Sequence, residues 1–177
     1  MNGNNQDDIL GKYREGIRAF LKAPNSDSVS TSVLEFQTII IEEVLDSAQV
    51  EICGLYNCKK GDLWSSHASE IVKEKKLSNV DVKIICSPME DCGVNIGAKR
   101  ECMLIAPSEF SFLQESVTMI VVDKKTTIIV GVANDDPLIL FFDDLNGIRK
   151  SGLSFINELW DSLKGKRAAI SAEGSHS

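Results

Sequence analysis

Two runs of β-branched and apolar residues, SVTMIVVD at 116–123 and TTIIVGVA at 126–133, stand end to end with only Lys124 and Lys125 between them. Such runs favour strands. A connection this short obliges the second strand to return antiparallel beside the first. The spacing therefore predicts a buried hairpin turning at Asp123–Lys125, although the turn lacks the glycine that two-residue connections favour.

The segments around the hairpin alternate. QVEICGLY, residues 49–56, reads as a strand. A helix capped by Asp62 follows through Lys76, with Trp64, Ala68, Ile71 and Val72 on one side. VDVKIICS, residues 80–87, is the next strand and stops at Pro88. Strand, helix, strand implies a parallel pair with a right-handed crossover. Another helix starts near Ser32, where Ser32 and Glu35 fit the S-x-x-E capping box, and buries Leu34, Ile41, Val44, Leu45 and Ala48. Residues 88–100, with Pro88, Gly93 and Gly97, read as a loop. Cys102–Ile105 and LILFF at 138–142 read as short strands, and 150–164 as a helix burying Leu153, Ile156, Leu159, Trp160 and Leu163. The fold class is α/β, a single mixed sheet flanked by helices.

At the N-terminus, Leu10, Tyr13, Ile17, Phe20 and Leu21 recur at helical spacing over 7–22, and Asp7 or Asp8 can cap that helix. PNSDSVSTS, residues 24–32, reads as a linker. The expected division is an N-terminal helix and linker at 1–31, an α/β domain at 32–164 and a flexible tail at 165–177. The extra helix has three open roles: packing on the domain, pairing with a second copy, or continuing from an upstream domain.

Composition narrows the function. Over 177 residues, 43% apolar and 25% charged is ordinary globular usage, and this excludes a largely disordered chain. No run approaches the roughly 20 apolar residues of a membrane span. The opening MNGNNQDDIL is too polar for a secretory signal. The net charge of -7 argues against a general binder of phosphate backbones, and the longest cationic run, Lys73–Lys76, is broken by Glu74. Direct nucleic-acid binding and anionic membranes are therefore expected to be absent. Five cysteines at irregular spacing suggest reduced thiols in a cytoplasmic protein. Cys53 and Cys86 end apolar runs and read as small buried hydrophobes, whereas Cys58 and Cys92 fall in loops. Without a C-x-x-C, and with only His67 and His176, no zinc site is expected, nor any other metal or cofactor. The phosphate-loop, dinucleotide and nucleophile-elbow patterns are missing.

The hairpin resembles that of the phospholipase D superfamily, whose half-domains carry H-x-K-x4-D on the first strand and G-S-x-N after the second. Asp123 stands at the Asp position, and G-V-A-N, Gly131 to Asn134, matches most of the second segment. Ser116 falls where the His belongs and Thr118 where the Lys belongs. The order of segments over 32–164, closing on GLSFINELWDSL, is similar to the sensor domains of archaeal TrmB-type transcriptional regulators. In the superfamily the His attacks phosphorus and the Lys stabilises the phosphoryl oxygens. Ser116 and Thr118 supply neither imidazole nor charge, and His67 lacks the spacing to replace them. Asp135, Asp136, Asp143 and Asp144 would moreover repel a phosphodiester.

The resemblance thus implies a non-catalytic, ligand-sensing or regulatory domain of a signalling or transcription-control protein. It also implies a homodimer, because the superfamily pairs half-domains; the first and last helices would supply the seam. A small-molecule ligand would lie at the strand ends near Tyr56, Asn57, Ser87, Ser116, Thr118, Asp123 and Asn134. The alternatives are a purely structural interaction module and a residual phosphodiesterase.

Overall fold

The computed structural model describes residues 3–22, 28–57, 63–87, 103–106, 108–115, 117–131, 136–142 and 147–173. Side chains at 3–5, 103–105, 112, 114, 115 and 166–173 are outside that description. The elements run α1 (Gly3–Lys22), β1 (Ser28–Thr31), α2 (Leu34–Ser47), β2 (Glu51–Tyr56), α3 (Ser66–Leu77), β3 (Asp81–Cys86), β4 (Met103–Ile105), a 3-10 segment (Ser108–Glu115), β5 (Thr118–Val122), β6 (Thr126–Val130), β7 (Leu138–Phe141) and α4 (Ile148–Glu173).

The strands form one mixed sheet in the order β1-β7-β6-β5-β2-β3-β4. β2 and β3 are parallel in register from Glu51↔Asp81 to Tyr56↔Cys86, as the crossover requires, and β4 joins β3 in parallel. The hairpin pairs Thr118↔Val130 through Val122↔Thr126, and β5 runs antiparallel to β2. Side chains alternate between two faces. Ile52, Tyr56, Val82, Ile84, Ile120, Val122, Ile128, Val130, Leu138 and Leu140 join Ile40, Val44, Leu45, Ala68 and Val72 in the larger core under α1, α2 and α3. Cys53, Leu55 and Ile85 join Leu113, Ile156, Leu159, Trp160 and Leu163 under α4.

The linker expectation needs correction. Part of the polar stretch is β1, which pairs with β7 from Ser28↔Phe141 to Thr31↔Leu138. The boundary at 31/32 therefore cuts through the sheet's own framework. α1 also belongs to the domain. Ile17 is buried in the larger core, Tyr13 stacks on Phe36 at 4.0 Å, and Phe20 stacks on Phe142 at 5.1 Å. Arg14 donates to Glu42 at 2.7 Å and to Glu43 at 2.5 Å, while Arg18 donates to Glu43 at 2.6 Å. Both carboxylates are buried on α2. Burial works against the Arg14 charge, but the two carboxylates outweigh it and hold its pKa above the ordinary arginine value.

Two helix starts also differ. Thr31 is still in β1, so α2 is capped by Val33, which has no side-chain cap bond. Gln37 ties that end down instead, its amide donating to Thr31 O at 3.0 Å and Asp136 O at 3.1 Å. The cap of α3 is Ser65, whose hydroxyl accepts the Ala68 N–H at 2.9 Å; Asp62 lies outside the described residues. At the other end α4 stays helical to Glu173, past the boundary expected at 164. The loop 88–100, Cys58, Cys92 and Cys102 lie outside the described residues.

Candidate functional site

The hairpin turn has two consecutive left-handed residues, Asp123 at φ 53° and Lys124 at φ 54°. This conformation suits the right-handed strand twist and normally selects Gly or Asn. Here the Asp123 carboxylate compensates. It accepts the N–H groups of Val50 at 2.8 Å and Glu51 at 2.9 Å on one oxygen and of Gln49 at 3.0 Å on the other. Asp123 N in turn donates to Glu51 O at 3.0 Å. The carboxylate thus fastens the start of β2 to the turn.

This placement corrects the expected site. Thr118 opens β5 and Asp123 follows its end, so five residues of strand rise, roughly 17 Å, separate them. Asp123 does not share a cleft with Thr118, and its three backbone bonds define a structural role. Ser116 and Asn134 lie outside the described residues.

The remaining candidates do converge, at the opposite end of the hairpin. Tyr56 and Asn57 end β2, Ser87 follows β3, and Thr118 starts β5. All four are buried, at 0–1% exposure. Ser87 N donates to Tyr56 O at 2.9 Å, carrying the β2–β3 ladder one step past the strands. Thr118 Oγ1 accepts the Asn57 N–H at 3.0 Å, and the Asn57 side-chain amide donates to Leu113 O at 3.5 Å. Tyr56 packs against Trp64 at 5.2 Å. A charged lysine at position 118 would have to be desolvated at a site already engaged in backbone satisfaction.

The surroundings are acidic where they can be described. A Cβ placed at Gly131 would fall on the Asp136 carboxyl group, so that carboxylate occupies the space beside Gly131 at the same sheet end as Thr118. Asp135, Asp143 and Asp144 lie outside the described residues. His67 is exposed on α3, its Nδ1 3.6 Å from Glu70. Among the described residues no group of His, Cys, Asp and Glu is arranged to hold a metal ion. No described helix is long and apolar enough to cross a membrane. Cys53 and Cys86 are buried; desolvation, helped by the Glu51 charge, pushes the Cys53 thiol up to about 11.

Sequence reasoning missed an apolar groove beside this cluster. Leu55, Val117, Met119, Gly152, Phe155 and Ile156 line about 320 Å³ between β5 and α4. A Cβ at Gly152 would collide with the Met119 thioether, so this glycine makes room for Met119 and the groove. Alternation already set Leu55 and Met119 on one face, but the helix lying over them is a long-range packing fact.

No family model matches the chain, and no curated protein matches significantly. Several solved structures are similar, and two of them illustrate the likeness. One is TrmBL2, described as an archaeal chromatin protein that shows a novel mode of DNA binding. It is 12% identical, with a TM-score of 0.57 over 90% of this chain and 64% of that one. The other is Nuc of Salmonella typhimurium, a phospholipase D family member. It is 13% identical, with a TM-score of 0.47 over 78% of this chain and 95% of that one. The α/β architecture similar to archaeal TrmB-type proteins is therefore present, and this chain spans 64% of the length of TrmBL2. One expectation falls. Net charge had excluded direct nucleic-acid binding, yet the protein that shares this fold at TM-score 0.57 is one described by its mode of DNA binding. An acidic total is a sum over the surface and does not govern a local contact.

Proposed function

We propose that this chain is a regulatory domain of a transcription-control or chromatin-associated protein, non-catalytic and ligand-responsive, and that it works as a homodimer. The observation that carries this reading is the fully buried Thr118 at the position of the superfamily's lysine, its hydroxyl taken by the Asn57 N–H. Phosphoryl transfer needs a cation aimed at the developing charge, and a buried threonine with a carboxylate beside nearby Gly131 offers the reverse. The cluster of Tyr56, Asn57, Ser87 and Thr118 holds its hydroxyl and amide groups buried and within the chain's own bonds, at the strand ends where ligands usually lie in α/β sheets, so a ligand would have to exchange into those bonds. Such groups suit a neutral, hydroxylated small molecule better than a phosphodiester.

Thermal-shift screening against sugars, nucleosides and polar metabolites, with duplex DNA in parallel, tests this reading. It expects at least one neutral polar compound to raise the melting temperature, with the shift lost in Asn57→Ala. A chain stabilised by none of them, yet hydrolysing bis-p-nitrophenyl phosphate, would contradict it.

A further inference from the structure

The apolar groove under α4 is left unfilled by the described side chains around it. Its floor is the antiparallel pair Leu55↔Met119 of β2 and β5. Its roof is one face of α4, where Gly152, Phe155 and Ile156 fall at i, i+3 and i+4. Leu55, Met119 and Ile156 are buried, so the deep end is closed. Val117 and Phe155 stand at the mouth and are 46% and 42% exposed. Two large apolar side chains are thus left facing solvent at a single opening.

The groove has a cause in the sequence. Glycine is a poor residue within a helix, yet Gly152 stands inside α4. A Cβ there would strike the Met119 thioether. With no side chain at 152 and a flexible, unbranched one at 119, the walls stay apart and adaptable. Volume and chemistry then limit the occupant. About 320 Å³ is at the low end of small-molecule pockets, roughly 300–1,000 Å³. A dry apolar cavity of about 150 Å³ already holds benzene, so this groove has room for two fused rings. None of the lining residues carries a charged or hydrogen-bonding side chain, so a charged ligand would lose its hydration with nothing in return. A thioether on the floor and a phenyl ring on the helix favour an aromatic ring over a plain alkyl chain.

We infer that this groove binds a neutral, bicyclic aromatic small molecule, of the size of naphthol, quinoline or indole. The rings lie over Leu55 between Met119 and Phe155, and binding covers the exposed Val117 and Phe155 side chains. A polar substituent on the rings lies nearest Asn57, two residues past Leu55 on the same face, whose amide reaches Leu113 of the cluster under α4. This inference rests on the ligand-responsive part of the reading above and gives it a second, apolar site beside the polar cluster.

Isothermal titration of the full chain with 2-naphthol tests it, with circular dichroism confirming that each variant is folded. The wild type is expected to bind saturably, one to one. Val117→Trp, which fills the mouth from an exposed position, should abolish binding, and Leu77→Trp, at an exposed position of α3, should leave it unchanged. Binding that persists in folded Val117→Trp puts the probe elsewhere and overturns the groove. A wild type that binds none of 2-naphthol, indole and quinoline overturns it as well. If a polar compound still raises the melting temperature through Asn57, the ligand-responsive reading survives that failure; if none does, both fall. A doubled mass in light scattering that Val117→Trp returns to 19.4 kDa would assign the groove to a second copy and overturn the small-molecule occupant.

Discussion

At the residue scale the account turns on two positions that look alike in sequence terms and differ in the structure. Asp123 holds three backbone N–H groups, so Asp123→Ala should lower unfolding free energy by about 2–4 kcal/mol in urea titrations, and Asp123→Asn by about half as much, since hydrogen bonds to a charged acceptor are the stronger ones. Thr118→Val keeps the shape and removes the acceptor of a buried Asn57 N–H, at a cost of about 1–3 kcal/mol. Thr118→Lys, which introduces the charge of the motif the hairpin resembles, should strongly destabilise the fold at neutral pH, because position 118 is fully buried and its hydroxyl bonds the Asn57 N–H. Cys53 supplies a pH test. Its folded pKa of about 11 lies above the 9.0 of a free thiol, so the native state holds the proton more tightly. The associated stability is complete below pH 9 and disappears as pH rises from 9 through about 11. A Cys53→Ala variant should lose that part of the alkaline slope, and at pH 8 alkylation of Cys53 in the folded wild type should be slow by peptide mapping.

At the element scale, what the sequence made legible and what it hid divide along burial. The β5–β6 hairpin and the parallel β2–β3 pair were readable because a strand walled in on both sides must be apolar almost throughout. β1 was unreadable for the converse reason. It is an edge strand paired only to β7, with Ser28 and Ser30 exposed, so its sequence looks like a linker. The capping box at Ser32 failed because pairing with Leu138 kept Thr31 extended and moved the helix cap one residue on, to Val33. Asp123 and Thr118 were grouped by a motif whose x4 gap is, in space, the length of a strand. The role of α1 was left open by its apolar stripe alone; the deciding signal was polar. Arg14 and Arg18, one helical turn apart, meet the adjacent Glu42 and Glu43 that interrupt the apolar run of α2. Replacing both arginines by alanine strands the buried Glu43 carboxylate and leaves Glu42 with the Ser65 hydroxyl at 2.6 Å in place of a cation. The expected loss is about 3–5 kcal/mol in chemical denaturation, against less than 1 kcal/mol for Lys12→Ala, whose pair with Asp8 is fully on the surface.

At the scale of the whole molecule, the structure is a seven-stranded sheet with α1, α2 and α3 on one face and α4 and the 3-10 segment on the other. The polar cluster sits at the C-terminal ends of β2 and β3, close to the groove where Val117 and Thr118 adjoin. On our reading, a ligand ordering that end would also order the neighbouring groove under α4. If the chain works as the homodimer proposed above, effector binding and dimer stability are linked: a compound that raises the melting temperature should change the dimer dissociation constant, measured by analytical ultracentrifugation.

The central claim is that this scaffold does not perform phosphoryl transfer. Hydrolysis of bis-p-nitrophenyl phosphate by the full chain, at high enzyme concentration, compared with Thr118→Val, measures it most directly. The account predicts release at the rate of buffer alone for both proteins. Saturable hydrolysis by the wild type that falls in the folded variant would contradict it.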